Sequence, residues 1–295
     1  MEKIYCFGEI LWDMLPSGRQ PGGAPMNVAY HLNRLGIDAS PLTAVGKDYL
    51  GDELIAFLRS KDIDTQFVLT NSQPTGQVLV SLNQKNEPSY TIQAPAAWDF
   101  IELDSNALSQ LVSSAYILIF GSLACRNVVN REILQKLSNK AALKICDINL
   151  RAPFYNKDLV HHLFSQTDWI KINHEELALI ASWYQDDLHT EQEQANFFLH
   201  TFPGIDLILV TRGENGAAYY DREAHYSHPG YIVEVADTIG SGDSFLAMFI
   251  FKALAGIEPQ ECLKYACAMG SIVATHKGAT PVVDIDNDLR RLMSN

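Results

Sequence analysis

The sequence predicts an α/β fold, in which helices cover a mostly parallel β-sheet. From residue 105 onward, short apolar strands alternate with helices, which is the pattern of repeated βα units. A β-like run at 231–236 leads through a glycine turn into the apolar helix 244–255, which reads as a buried helix. The chain of 295 residues is long enough for one large domain with a substantial core, so we expect a single domain over 1–295.

Composition excludes several classes of partner and of fold. The net charge is −13 and no Lys/Arg-rich run is present, which argues against nucleic acid or an anionic membrane as a partner. The five cysteines are odd in number and form no CxxC pair, so we expect reduced thiols in a cytosolic protein. Acidic residues interrupt the first apolar run and no apolar run reaches about 18 residues, so we expect a cytoplasmic protein without a secretion signal or a membrane span.

The first elements carry one acidic residue that needs an explanation. A strand at 3–9 is followed by the apolar stretch 10–15, which contains Asp13. Because an unpaired buried carboxylate is unfavourable, Asp13 either lies on the exposed face of an alternating strand or accepts hydrogen bonds from a ligand. A Gly/Pro loop at 17–25 then precedes the amphipathic helix 26–35.

The next part of the chain departs from the βα pattern. It contains several short strands with a single helix among them, and consecutive strands without helices predict a separate small sheet. The strands are predicted at 40–45, 67–70, 76–82 and 89–93, and the helix at 52–61.

The remaining elements follow the regular pattern. Strands are predicted at 116–120, 144–148, 169–172, 206–211, 217–220 and 225–226. Helices are predicted at 106–113, 127–138, 159–166, 191–198 and 259–275, with a short terminal helix at 284–295.

The glycine turn before helix 244–255 is the strongest candidate site. Gly240 and Gly242 let the backbone approach a ligand, and the following helix start offers free N–H groups and a positive dipole end. Asp243 would repel an anion there unless it acts as a general base, which is the arrangement that a kinase needs. The alternative interpretation is that Asp243 and Ser244 only cap the helix.

Two familiar nucleotide-binding motifs do not fit this turn. A GxGxxG fingerprint would need glycine at the position of Phe245, so a dehydrogenase is not indicated. A GxxxxGK[ST] loop occurs nowhere in the chain. His174 and Glu175 begin an apparent HExxH motif, but Ala178 stands where its second histidine belongs, so a zinc site is not supported.

The turn DTIGSGD at 237–243 resembles the C-terminal signature DTxGAGD of the ribokinase-like (PfkB) sugar kinases, with Ser241 in place of alanine. GGAPMN at 22–27 resembles the N-terminal GGxxxN signature of that family. Further matches occur in family order, at GKDYLG (46–51), DINLR (147–151), NHEE (173–176), TRGENG (211–216) and the GA turn (278–279). The matches cover nearly the whole chain, so coincidence is a poor explanation.

The resemblance implies a ribokinase-like three-layer α/β/α domain with a central, mostly parallel sheet and a small β-sheet lid. In such proteins the short consecutive strands cover the sugar. We therefore expect the lid to consist of roughly 11–20 and 66–100, with Trp98 and Phe100 near its return. A lid that closes would exclude water and suppress hydrolysis of ATP. Family members often dimerise through this sheet, so a homodimer through the lid is a further expectation.

The resemblance also implies roles for individual residues. Asp243 would be the general base, and the N–H groups of Gly240, Ser241 and Gly242 would form the anion hole. The sugar would contact Asp13, Gly22, Gly23, Asn27 and Asp243. ATP would contact Asn173, Glu176, Thr211, Gly213, Gly216, Gly240, Gly242, Cys267 and Gly278.

Two cations follow from the same resemblance. Mg²⁺ would be held near Glu176 and Asn173, mostly through water, and K⁺ would lie beside Asp237 and Ile239. Local patterns leave alternatives open, because Asn173 and Glu176 also form a good helix capping box. The alternative interpretation of Cys267 is that it belongs to the apolar core of a helix.

The acceptor sugar is suggested by three segments. GEILWDMLP (8–16), PGGAPMNVAYHL (21–32) and APAAWDF (94–100) look most like bacterial fructokinases. We therefore expect D-fructose and ATP as the substrates and D-fructose 6-phosphate and ADP as the products. The alternatives are 2-keto-3-deoxygluconate or ribose as acceptor, or a non-catalytic regulator that binds sugar or nucleotide. Lys47 and Arg151 are the candidate cations for a phosphorylated acceptor, but they form no obvious cluster.

Overall fold

A computed structural model describes residues 2–15, 18–82 and 88–294 of the chain. Its strands are β1 (Lys3–Phe7), β2 (Leu11–Leu15), β3 (Gly18–Gly22), β4 (Ala39–Gly46), β5 (Val68–Asn71), β6 (Gly76–Leu82), β7 (Pro88–Ile92), β8 (Tyr116–Gly121), β9 (Leu143–Asp147), β10 (Trp169–Asn173), β11 (Leu207–Thr211), β12 (Ala217–Tyr220) and β13 (His225–His228). Its helices are α1 (Ala24–Arg34), α2 (Tyr49–Ser60), α3 (Ser105–Leu111), α4 (Val128–Ser138), α5 (Lys157–Phe164), α6 (His174–Ser182), α7 (Glu191–Thr201), α8 (Ser241–Leu254), α9 (Pro259–Ala274) and α10 (Ile285–Met293).

The large sheet is mostly parallel. Within the described ranges it has nine strands in the order β13-β12-β11-β10-β9-β8-β1-β4-β5. The pairs from β11 to β5 are parallel, whereas β12 and β13 are antiparallel. Parallel neighbours need crossover connections, and here helices supply them and cover both faces of the sheet. The predicted α/β fold is therefore confirmed.

Helices α1 and α8 pack together on one face of the large sheet. Val28 and Leu32 from α1 join Phe245 and Phe249 from α8 in one buried cluster. The first ten residues of α8 are mostly buried, as its apolar sequence predicts. Helix α8 is apolar, but no helix in the described ranges is both long enough and apolar enough to span a membrane.

A smaller sheet, called the lid below, consists of four strands in the order β3-β2-β6-β7. Strand β2 pairs antiparallel with β3 and parallel with β6, and β6 pairs antiparallel with β7. Strand β3 corrects the sequence prediction, which treated 17–25 as a loop. The proline in this segment, Pro21, is compatible with a strand because β3 lies at the edge of the lid.

The predicted lid boundary at 66–100 is too wide. Strand β5 belongs to the large sheet, because it pairs parallel with β4 through Ala44 and Leu69. Trp98 is fully buried and lies in the same hydrophobic cluster as residues of the large sheet. The alternation of apolar residues identified these segments as strands but could not tell which sheet each one joins.

The predicted strand at 231–236 is absent from the structure. Ile232 is fully exposed, and the N–H groups of Ala236 and Asp237 donate to the carbonyl of Ala274 at the end of α9 (2.9 and 3.2 Å). The last residue of the segment therefore bonds a helix end, and the segment pairs with no strand of the described residues, which sequence alternation cannot reveal. Most other predicted elements lie within three residues of their observed bounds, and α8 begins at Ser241, three residues earlier than expected.

Candidate active site

The glycine turn at 237–243 lies at the start of α8 and is called the anion loop below. Gly240 adopts a left-handed conformation (φ 78°), and a Cβ atom there would lie 2.6 Å from the Cα and carbonyl oxygen of Ala279. Only glycine fits at this position, because both the backbone conformation and the space exclude a side chain. The N–H of Ser241 donates to the carbonyl of Thr238 (3.2 Å). Of the three predicted anion-hole donors, this N–H is thus already engaged in a turn.

Asp243 lies in the first turn of α8 and is buried (8% exposed). Its Oδ2 accepts a hydrogen bond from Nδ2 of Asn27 (2.7 Å), which joins the N-terminal and C-terminal signatures at 22–27 and 237–243. Burial and the neighbouring carboxylate of Asp147 raise the pKa of Asp243 to about 6, against the opposing charge of Lys171. A carboxylate with this pKa is mostly deprotonated at neutral pH and basic enough to accept a proton.

Lys171 is a site residue that the sequence analysis missed. Its Nζ lies 2.9 and 3.1 Å from the two carboxylate oxygens of Asp147, its register partner on the neighbouring strand. A Cβ on Gly242 would lie 2.9 Å from this Nζ, so the ammonium group sits directly against the anion loop. Burial lowers the pKa of Lys171, but the carboxylates of Asp147 and Asp243 outweigh it and the net shift is upward. The sequence contained a signal for this residue, because a lysine within the apolar strand WIKIN is unusual.

The predicted sugar-binding residues come together beside the lid. Asp13 lies on the lid strand β2, opposite Gln20 of β3, and a Cβ on Gly22 would collide with its carboxylate. Burial raises the pKa of Asp13 to about 6, although the charge of Arg151 lowers it and that of Asp237 raises it further. Gly23 (φ 115°) packs on the carbonyl of Glu9 and leads into α1, which carries Asn27. Asp13 and Asn27 thus border the cleft that also contains Asp243.

Glu9 is a second site residue that the sequence analysis did not single out. It is 5% exposed, and its Oε2 has no hydrogen-bond partner among the described residues. Burial raises the pKa of Glu9 to about 7, while its backbone N–H bond and Arg151 oppose the rise and Asp243 adds to it. The positive charge of Arg151 therefore opposes the upward pKa shift of three carboxyl groups, those of Glu9, Asp13 and Asp243.

Asn173 and Glu176 form the capping box that the pattern allowed. Oδ1 of Asn173 accepts from the N–H of Glu176 (2.8 Å), and Oε2 of Glu176 accepts from the N–H of Asn173 (3.1 Å). The other oxygen of Glu176, Oε1, accepts from the N–H of Leu150 (2.7 Å). Glu176 therefore ties α6 to the segment after β9. Its oxygens keep lone pairs for water, so the two residues fit a magnesium ion held through water better than direct ligation.

The predicted potassium position lies at the start of the anion loop. Oδ1 of Asp237 accepts from the N–H of Ile239 (3.1 Å), and Oδ2 accepts from the N–H of Gly278 (3.0 Å). Oxygen atoms suit a potassium ion, and this carboxylate fits it as one oxygen donor. Among the residues that the structure describes, no group of three or more His, Cys, Asp or Glu side chains forms a metal cage.

The predicted nucleotide contacts occupy two places. Thr211, Gly213 and Gly216 form the turn after β11, where Gly216 (φ 78°) packs against the carbonyl of His228. Cys267 is buried on α9. Burial raises the pKa of its thiol, and the positive charge of Arg212, which follows Thr211, opposes that shift. These four residues therefore share one neighbourhood.

Gly278 lies apart from this group, next to the anion loop and the lid. A Cβ on Gly278 (φ 78°) would lie 2.8 Å from Oε1 of Gln20 on β3. Its N–H bond to Asp237 fixes it to the start of the anion loop. The structure thus places Gly278 beside Asp237 and Gln20, apart from the other predicted nucleotide contacts.

Comparison with known proteins identifies one family and several relatives. The model of the pfkB family carbohydrate kinases matches residues 17–286. A probable fructokinase-2 from Arabidopsis thaliana is 29% identical over 96% of this chain and 93% of its own length.

Solved structures agree with this comparison. The fructokinase of Xylella fastidiosa with bound ATP superposes with a TM-score of 0.85, at 25% identity over 99% of both chains. A double mutant of the Vibrio cholerae O395 fructokinase, with fructose, ADP and potassium ion bound, gives a TM-score of 0.82 at 22% identity, over 99% of this chain and 98% of its own.

Proposed function

Since the chain belongs to the pfkB family of carbohydrate kinases and is thus a phosphotransferase acting on a sugar hydroxyl group, we propose that it phosphorylates D-fructose with ATP. The observation that carries this proposal is the buried carboxylate of Asp243 at the anion loop, hydrogen-bonded to Asn27 of the sugar-binding segment. This geometry supports a proton acceptor next to the proposed position of the transferred phosphoryl group.

The proposed reaction is an in-line displacement at the γ-phosphorus of ATP. Asp243 takes the proton of the primary hydroxyl group of the sugar while that oxygen attacks phosphorus and the bond to the ADP oxygen breaks. The backbone at Gly240 and Gly242 and the ammonium group of Lys171 face the charge that develops on the phosphoryl oxygens. Glu176 and Asn173 would hold Mg²⁺ through water, and the ion would neutralise charge on the phosphates. Asp237 and Ile239 would border K⁺.

A neutral, hydroxyl-rich acceptor fits the chemistry of the cleft. Three of its residues, Glu9, Asp13 and Asp243, carry carboxyl groups. The positive charge of Arg151 lowers the pKa of each of them, against the effect of burial. A second phosphate group on the acceptor would be repelled by these carboxylates. The buried Oδ1 of Asn27 also has no hydrogen-bond partner among the described residues, and sugar hydroxyl groups donate to such oxygens. The fructokinase relatives support fructose among the neutral sugars.

The test is coupled ADP release with Mg²⁺ and K⁺ across a panel of acceptors. The panel contains fructose, ribose, 2-keto-3-deoxygluconate and fructose 6-phosphate. We expect the highest kcat/KM with fructose, and the phosphorylated acceptor should be the poorest because of the acidic cleft. A preference for 2-keto-3-deoxygluconate would refute fructose as the acceptor and point to Arg151 as the partner of its carboxylate. Binding of sugar or ATP by calorimetry without turnover on any acceptor would favour a non-catalytic regulator.

We predict that kcat/KM falls on the acidic side of about pH 6. The pKa of Asp243 is raised to about 6, so the carboxylate becomes protonated below that pH and can no longer accept the hydroxyl proton. The decrease should be about tenfold per pH unit, with a plateau above about pH 7. The measurement is a pH profile of kcat/KM from pH 4.5 to 8.5.

The control for this profile is Asp13→Asn, because the pKa of Asp13 is also raised to about 6. The variant should bind sugar less tightly yet keep the acidic decrease at the same pH. Loss of the decrease in this variant would assign it to Asp13 and contradict the role of Asp243 as the base.

Two further predictions concern assembly and location. A homodimer through the lid is supported by Leu79 of β6, which is 50% exposed. A cytoplasmic location is supported by five free, buried cysteines, since thiols persist in a reducing compartment.

A further inference from the structure

One face of helix α1 holds both the catalytic carboxylate and the segment after α9. Asn27, Tyr30, His31 and Arg34 recur at the spacing that lines one helix face. Asn27 donates to Asp243, whereas the other three bond backbone carbonyls of residues 279–283, called the return segment below. The return-segment bonds are Tyr30 Oη to Pro281 (3.2 Å), His31 Nε2 to Ala279 (2.9 Å) and Arg34 Nη2 to Val283 (3.3 Å).

The ring of His31 is buried, and this burial determines how it bonds Ala279. His31 is 1% exposed, and its ring packs edge-on against that of Tyr30 (5.2 Å between centroids). Burial lowers the pKa of His31 to about 4, although the carbonyl of Ala279 opposes the shift. The imidazole is therefore neutral at physiological pH, and a carbonyl partner requires the proton on Nε2. His31 thus acts as a buried N–H donor of fixed direction.

The residue that accepts this bond lies against the anion loop. The Cα and carbonyl oxygen of Ala279 are the atoms that a Cβ on Gly240 would meet at 2.6 Å. The preceding residue, Gly278, donates its N–H to Asp237 at the start of the loop. Because these backbones touch, a shift of Ala279 would displace Gly240 from its left-handed conformation.

We propose that His31 is a positioning residue for phosphoryl transfer, which holds the Ala279 carbonyl so that the backbone of Gly240 stays where the γ-phosphoryl group binds. The inference rests on the proposed kinase function and adds a residue to it. His31 is buried and acts through Ala279 and Gly240.

The test compares four variants for kcat, KM and binding of two nucleotides. His31→Leu keeps the approximate volume and removes the donor. His31→Gln keeps a donor at a similar reach, and His31→Asn carries the same amide too close to the backbone to reach Ala279. Tyr30→Phe is the matched control, because it removes a bond from the same helix face to Pro281, two residues further along the return segment.

We expect kcat to fall about tenfold or more in His31→Leu and His31→Asn, with KM for the sugar nearly unchanged. His31→Gln should recover to within about threefold of wild type, and Tyr30→Phe should match wild type. Wild-type kcat in His31→Leu, or an equal loss in Tyr30→Phe, would overturn the proposal. If His31→Leu fails to fold, the comparison of His31→Asn with His31→Gln gives the same decision.

A binding readout separates this proposal from the proposed function. By calorimetry, the affinity for a non-hydrolysable ATP analogue relative to ADP reports the hold on the γ-phosphoryl group. That ratio should fall about tenfold in His31→Leu and stay unchanged in Tyr30→Phe, whether or not any sugar on the panel is turned over. An unchanged ratio in His31→Leu would overturn the positioning role even in an active kinase. Absence of turnover in the wild type would instead refute the proposed function alone.

Discussion

Asp243→Asn should lower kcat by about 10²–10⁴-fold, because the amide cannot accept the proton of the attacking hydroxyl group. The fold should persist, since the amide oxygen can still accept from Asn27 and Lys171 keeps its ion pair with Asp147. Relief of a buried charge should leave the free energy of unfolding at pH 8 unchanged or slightly higher. The measurements are coupled ADP release and thermal unfolding.

Binding experiments complete the test of the base. Calorimetry with ATP and with the sugar should give dissociation constants within a few fold of wild type, which separates the loss of proton transfer from a damaged site. Turnover near the wild-type rate would contradict the assignment of Asp243 as general base. A loss of sugar binding with the loss of turnover would instead make Asp243 a substrate contact.

Gly240→Ala should have the second largest effect, with kcat reduced about 10²–10³-fold. The new Cβ would meet Ala279 at 2.6 Å on a backbone with φ 78°, so the anion loop must move away from its present position. The free energy of unfolding should decrease by about 1–3 kcal/mol because the conformation is strained. Steady-state kinetics with saturating ATP would measure the loss.

Gly256→Ala is the matched control for backbone strain. Gly256 is also left-handed (φ 73°), but no atom lies within 4 Å of the position of a new Cβ. This variant should lose about 1–2 kcal/mol of stability and keep its kcat. If both glycine variants retain activity, then the conformation of Gly240 does not matter for phosphoryl transfer.

The local signals in the sequence were sufficient for most elements. The helix starting at the DTIGSGD turn was predictable because glycines and an acidic residue before an apolar run mark a helix N-terminus. The capping box of Asn173 and Glu176 was predictable because Asn followed three residues later by Glu marks the start of a helix. These features depend on residues within one or two turns of each other.

Features that depend on distant partners were not predictable. The run at 231–236 has the alternation of a strand but pairs with no strand of the described residues, and its last residue, Ala236, bonds the end of α9 instead. Glu9 and His31 look like ordinary residues in the sequence, and their roles come from neighbours more than 100 residues away, Arg151 and Ala279. Lys171 was accessible, because a charged residue in a buried strand is unusual.

The hydrogen bond between Asn27 and Asp243 spans 216 residues of sequence, which has a consequence for biosynthesis. When a ribosome has released only the first two hundred residues, the chain contains the sugar-binding segment with Asn27 but lacks the proposed base, Asp243. Contacts of such separation carry a large loop-closure entropy and form late in folding. Emerging chains should therefore be unable to consume ATP until α8 docks on α1, so phosphorylating capacity arrives with the last fifth of translation.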